Sequence, residues 1–283
     1  MKRILTLILA LAFLLLPFSA LAATPTAAST DSATTARMPE TDYKAYAKAY
    51  CKKYGYKYTE SYAKAFKYAL SALPEDYSKV DKSLPANLYQ HPYSTWADAK
   101  SVANYKKNLK TNAQLMKALG AKEVGLIMKS AKGYASQELN DDYTGLDENA
   151  KKSAYYYYLT PADEEGTFVD DRIAEVTDWQ LTKQGAFITD PSLVYQAADG
   201  MYRVRGRMVQ RYTHATKAFQ KDNNVKLDVW YYFDMEFCMV KNNLSTKSKY
   251  DHAKYAMDSW VFISNGWGTA NSSLVSLAKR HMT

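Results

Sequence analysis

The sequence predicts an α+β fold, an N-terminal helical hairpin and further helices followed by a long-stranded antiparallel sheet. Three observations predict it. Apolar residues recur at helical spacing up to about residue 158 and alternate from about residue 167 onward. The stretches 201–212 and 225–240 put apolar side chains on one face and charged ones on the other, the mark of antiparallel strands with one buried side. Helices come first and strands after, which separates the two kinds of element instead of interleaving them as βαβ units would.

The chain has 283 residues and a formal net charge of +8. Residues 1–22 read as a signal peptide: Lys2 and Arg3 precede an apolar run from Ile4 to Leu16 broken only by Thr6, and Pro17, Ala20 and Ala22 follow. Cleavage after Ala22 would export the protein to the periplasm or the extracellular space, with membrane contact at most peripheral afterwards; the competing reading is an uncleaved anchor. Residues 23–40 are small and polar and lack the apolar mass to offset ordering entropy, so they read as a flexible leader.

Residues 41–74 carry YAKAY and YAKAF sixteen positions apart. At about 100° per residue, Tyr43, Tyr46, Tyr50 and Tyr54 share one stripe while Lys44, Lys48 and Lys52 lie opposite. Tyr58, Tyr62, Phe66 and Leu70 repeat the pattern, with Gly55 as a C-cap, Thr59 as an N-cap and Pro74 as the stop. The expectation is a tyrosine-rich helical hairpin, its seam packed against the rest of the chain or against a partner. Residues 75–96 form a loop.

Residues 97–283 are expected to form the cone-like domain. Helices are predicted over 97–119, 121–139 and 147–158. Strands are predicted over 167–179, 185–190, 201–212, 225–240 and 254–267. The series of long bent strands after helices resembles the cone of the nuclear-transport-factor-2-like, or cystatin-like, superfamily. The resemblance covers about residues 97–270 at the level of the fold. It implies a cone-shaped interior and transfers no functional residue.

Motifs for catalysis are sparse: GxSxG, HExxH, Walker and GxGxxG patterns are missing, and no catalytic residue, metal ligand or cofactor is assigned. His91, His214, His252 and His281 have no metal-ligand spacing between them, and Asp251 beside His252 would point the other way on a strand. The stretch 140–151 follows a calcium loop as far as Gly145 but ends in Lys151 where a bidentate Glu belongs, so it reads as an acidic turn. Asn243 and Asn271 begin Asn-x-Ser sequons. Cys51 and Cys238 are the only two cysteines, a candidate disulfide.

The strongest surface candidate is the polar face of two strands. Arg203, Arg205 and Arg207 would oppose Asp228, Trp230, Tyr232, Asp234 and Glu236. One reading is a salt-bridged outer face that fixes register; the other is a cleft that receives a carboxylate, a phosphate or an acidic partner. Acids interspersed with the Arg row argue against specific nucleic-acid recognition. The composition thus points to an exported, non-catalytic binding or assembly protein contacting an envelope protein or an anionic polymer. The alternative is a small-molecule enzyme with its pocket inside the cone.

Overall fold

A computed structural model describes residues 43–54, 57–60, 63, 88, 108–197, 199–263 and 267–282. Signal and leader segments, most of the second hairpin helix, the 75–96 loop apart from Leu88, and His91 lie outside the described residues.

Helix α1 spans Tyr43–Tyr54. Ala47 and Cys51, one turn apart, are buried, and Lys44, Lys48 and Lys52 are exposed; the side chains of Tyr43, Tyr46, Tyr50 and Tyr54, the predicted seam, lie outside the described residues. Lys48 nevertheless sits 5.4 Å over the Tyr58 ring and Lys44 pairs with Glu60, so cations and one tyrosine meet where the chain turns back. The Ala63 N–H donates to the Thr59 carbonyl, the bond expected where a helix starts after Thr59.

Helices α2 (Asn112–Leu119) and α3 (Ala121–Leu139) are separate elements. A capping box of Thr111 and Gln114 starts α2, and Gly120, at φ 84°, lets the chain end one helix and begin the next. The helix predicted from residue 97 does not run through its middle: Lys110 bridges to Gln196 as a strand residue instead. After the short β1 (Asp141–Asp142), Asp147 caps α4 (Glu148–Tyr157) by accepting from the N–H groups of Asn149 and Ala150.

The predicted strand over 167–179 is a helix, α5 (Phe168–Asp178). Val169, Ile173 and Val176 recur at four- and three-residue steps and are buried, and Asp170 and Asp171 stand in the first turn, where the helix dipole favours them.

The sheet contains β1, β2 (Thr182–Ile188), β4 (Tyr202–His214), β5 (Trp230–Lys241) and β6 (Tyr255–Phe262) in that order, all antiparallel. Short β3 (Val194–Gln196) adds to β4, and β7 (Gly268–Thr269) adds to β5. Helix α6 (Lys217–Asp222) joins β4 to β5, and α7 (Ser272–His281) closes the described chain. The long strands differ from the prediction at their ends. Asp228 adopts φ 60° and its N–H bonds the Tyr212 carbonyl, so residues 225–229 form the turn and β5 begins at Trp230. The strand predicted over 254–267 stops at Phe262.

The sheet curls into a half-barrel, and helices cover both of its faces. Its concave side carries Val204, Met208, Phe233, Met235, Phe237 and Met239, packed against Ile127, Ala131, Tyr134 and Ala135 of α3. On its convex side Ala186, Ile188 and Val209 pack with Leu277 and Ala278 of α7, and with Leu88. The architecture is therefore α+β and cone-like. Among the described residues, no helix is long and apolar enough to cross a membrane.

Candidate functional site

The arginine row lies on β4 across from the acidic residues of β5, on the face that the alternation predicted. Arg205 is directly opposite Glu236 and Arg207 opposite Asp234, while Arg203 faces Cys238. Arg205 Nε donates to Glu236 Oε2 at 2.7 Å, and the Tyr195 hydroxyl donates to the same oxygen at 2.6 Å. Arg207 grips Asp234 with two bonds of 2.7 and 2.9 Å and lies 4.3 Å over the Tyr232 ring. Arg203 pairs with Asp199 and reaches Glu236 Oε1 at 3.5 Å. Farther along, Arg211 stands over Trp230 and is 3.8 Å from Asp228.

Burial decides what this row can do. Arg203 and Arg205 are 2% exposed, Asp234 1% and Glu236 0%. Both sequence readings placed the row at the surface, as a solvated face or an open cleft; instead Leu277 and Ala278 of α7, with Leu88, pack on that side of the sheet. Buried ions persist because each has an opposite charge and hydrogen bonds close by. The row is an internal ion ladder whose two ends, Asp199 and the Arg211–Asp228 pair, reach solvent.

The candidate disulfide is not formed: Cys51 and Cys238 are both free, buried thiols. Burial pushes the Cys238 thiol up to about 11, against the opposing pull of Arg203.

The acidic turn has its own cation. Lys151 Nζ donates to the carbonyls of Gln137 and Asn140 at 2.8 and 3.0 Å and pairs with Asp141 at 2.8 Å. The residue that breaks the calcium pattern thus supplies the positive charge itself. Asn271 caps α7 by accepting from the Leu274 N–H. His252 contacts Glu164 at 2.8 Å and the Leu159 carbonyl at 2.9 Å and so ties the 243–253 loop to the 3₁₀ turn Pro161–Glu165, while Asp251 is exposed.

One opening among the described residues lies on the side of the sheet that faces α3. A cavity of about 160 Å³ is bounded by α3, α5, the inner sheet face and the residues around β7. Met208, Phe233, Met235 and Phe237 line its depth. Phe168, Trp260 and Trp267, about 40% exposed each, line it too, and they are three of the five exposed large apolar side chains among the described residues. Such a concentration of wet aromatic surface at one concavity marks a binding site more often than chance exposure does.

One wall is polar. Arg172 on α5 pairs with Glu138 of α3 at 2.6 Å and with Glu175 one turn on, and the Tyr134 hydroxyl donates to Glu138 Oε1 at 2.8 Å. Burial pushes the Glu138 carboxyl up, but Arg172 and Lys183 together outweigh it and hold the group below the ordinary range, hence ionised. Lys183 pairs with Asp141 at 3.1 Å. Burial works against its charge and the Asp141 carboxylate more than restores it.

None of these wall residues was singled out from the sequence. Reading 167–179 as a strand separated Arg172 from Glu175; as a helix the two are an i,i+3 ion pair, the signal that was available. Glu138 carried none, because its partner comes from another helix. Among the described residues, no group of three His, Cys, Asp or Glu side chains could hold a metal ion. Compared with known proteins, the chain matches no family model, no curated protein and no solved structure.

Proposed function

We propose that this chain is an exported binding protein that takes a small, partly aromatic ligand into its cone. The observation that carries the reading is the cavity of about 160 Å³ with Phe168, Trp260 and Trp267 exposed along it. A cavity of roughly 150 Å³ accepts one benzene-sized ring. The order of elements, like that of the nuclear-transport-factor-2-like superfamily, supports a ligand-holding cone, and the signal-like residues 1–22 support export.

Binding is favoured over catalysis by the chemistry of the wall. An ionised carboxylate locked between Arg172 and Tyr134 is an acceptor and a poor general acid. His214, His252 and His281 do not line the cavity. With the ion ladder covered, a macromolecular or polymeric partner would have to engage other surfaces, such as the exposed lysines of α1.

The test is a titration of the mature chain, residues 23–283, with benzyl alcohol, followed by methyl resonances of labelled methionine. Saturable shifts are expected at Met208 and Met235, which line the cavity. Met128 and Met282, which line a separate surface recess, should stay in place. Shifts spread equally over all four, or no saturation, would remove the reading. Export is tested separately by the N-terminal sequence of protein recovered outside the cytoplasm, expected to start at Ala23.

A further inference from the structure

A second concavity, outside the cone, carries charge of one sign. A recess of about 410 Å³ lies between α3, β2 and the end of α7. Small-molecule sites commonly enclose about 300–1,000 Å³. A stripe of α3 and its C-cap lines the recess: Lys129, Lys132, Ser136 and Asn140 follow one another at three- and four-residue steps. From α7 comes His281, the last of the basic residues Lys279, Arg280 and His281 in that helix's final turn. No carboxylate stands among the described residues that line it.

The two lysines are not neutralised locally. Three apart on a helix, they are neighbours at about 5–6 Å between Cβ atoms, and like charges so placed repel. The helix positions that could answer them, three or four residues away, are Gly125, Leu126, Met128, Gly133, Ala135 and Ser136, none of them acidic. Among the described residues no carboxylate pairs with either lysine. Lys151, Lys152, Lys183 and Lys254, by contrast, each stand within 3.1 Å of a carboxylate.

A hydroxyl extends the donor set. The Tyr158 ring lies over Gly133, where a Cβ would stand 2.1 Å from the ring Cζ and 2.4 Å from the hydroxyl oxygen. The glycine therefore lets this hydroxyl reach the lysine stripe. Burial, and after it Tyr157, push the Tyr158 phenol above its ordinary value, which keeps it a donor at neutral pH. Asn140 accepts from the Gly185 N–H at 3.1 Å and donates to the Gly185 carbonyl at 3.2 Å, tying the end of α3 to β2. Met128, Phe187 and Met282 supply apolar surface beside the cations.

We infer that this recess is a second ligand site and that it takes the phosphate monoester of a small apolar molecule. Two ammonium groups without a carboxylate match a group that carries about −1.5 to −2 charge at pH 7 and offers three acceptor oxygens. The apolar side chains take the organic part. The recess shares no lining residue with the aromatic cavity, so the two sites stand or fall separately.

Butyl phosphate, pentanoate and butanol have similar shapes and carry about two, one and no negative charges. Each is titrated into the mature chain, residues 23–283, at pH 7.5, followed by methyl resonances of labelled methionine. Butyl phosphate is expected to shift Met128 and Met282 saturably and to bind about tenfold more tightly than pentanoate, with no saturation by butanol. Met208 and Met235 should stay in place. The double change Lys129→Gln, Lys132→Gln should weaken ester binding about tenfold, while Lys129→Arg, Lys132→Arg keeps it. Both lysines reach solvent, so the fold should tolerate either pair. Vesicles containing phosphatidic acid, whose headgroup is the same monoester, separate a lipid source from a soluble one. Sedimentation with them that the Gln pair abolishes, without shifts by butyl phosphate, assigns the site to the headgroup. Equal affinity for butyl phosphate and pentanoate, equal affinity of wild type and Gln pair, or equal shifts at all four methionines overturns the site. So does the absence of both saturable shifts and vesicle binding.

Discussion

Arg205 and Glu236 are register partners on β4 and β5, joined by a 2.7 Å hydrogen bond in a setting where neither side chain reaches solvent. Removing one partner leaves the other charged and buried, which costs far more than the pair contributes. Arg205→Met is expected to lower stability by about 3 kcal/mol in urea unfolding. Asp228→Asn, at the exposed end of the same ladder, should leave the urea midpoint unchanged, because exposed pairs contribute little. Equal effects from the two variants would show that the row is solvated.

Asp141 predicts an acid-side loss of stability. Burial pushes its carboxyl up, but Lys183 and Lys151 reverse this and hold it below the usual carboxylate range. A carboxyl lowered in the folded state stabilises fully above its unfolded value, about 3.9, and loses that contribution as pH falls through the lower folded value. Unfolding midpoints measured from pH 6 downward should therefore fall steeply below about pH 4. Asp141→Asn should be less stable at pH 6 and show a flatter acid limb.

The two thiols give a chemical test of the fold. Cys51 and Cys238 are buried and free, and burial raises the pKa of both. Since the thiolate is the reactive form, disulfide-exchange reagent at pH 8 should label the native protein slowly. Unfolding in urea without reductant should expose two thiols per chain; none would mean that a bridge exists. The raised value also sets an alkaline limit. The contribution of protonated Cys238 is complete below the ordinary thiol value of about 8.5 and is lost as pH rises toward the folded value.

Two glycines should respond oppositely to alanine. At Gly206 a Cβ would stand 2.4 Å from the Phe187 ring and 2.6 Å from the Ile188 carbonyl, and that backbone oxygen cannot swing away. Gly206→Ala is expected to cost about 2 kcal/mol through overpacking. Gly125 lies inside α3 with nothing within 4 Å of its Cβ position, so Gly125→Ala should stabilise by up to about 1 kcal/mol. Urea unfolding of both variants checks the pair.

How much of this was legible follows from the range of each signal. Alternation along 201–212 and 225–240 put Arg203, Arg205 and Arg207 on one polar face with Asp234 and Glu236, because side-chain direction in a strand depends only on parity; which residue stands opposite which is the register, and the structure supplied it. Ends were less legible: the turn at Asp228 depends on a positive φ and on a bond to Tyr212, neither of which leaves a periodic trace. The stretch 167–179 was misread because its β-branched residues imitate a strand, while Val169, Ile173 and Val176 obey the helical period. Beyond the Arg172–Glu175 spacing, the polar wall left no trace in the sequence, since Glu138, Arg172 and Lys183 come from three elements that meet only in space.

By itself, then, the sequence determined the α+β class and the two faces of each long strand, with the arginines and acids of β4 and β5 on one polar face. Those follow from local geometry and from the types of residue present. The tertiary structure decided which face is covered. Leu277 and Ala278 of α7 pack on Ala186, Ile188 and Val209 on the side of the sheet that carries the charges, and the ladder on that side is buried, while an aromatic cavity opens on the apolar side. Burial is a property of what packs on a face, and a strand's own residues do not encode what that will be.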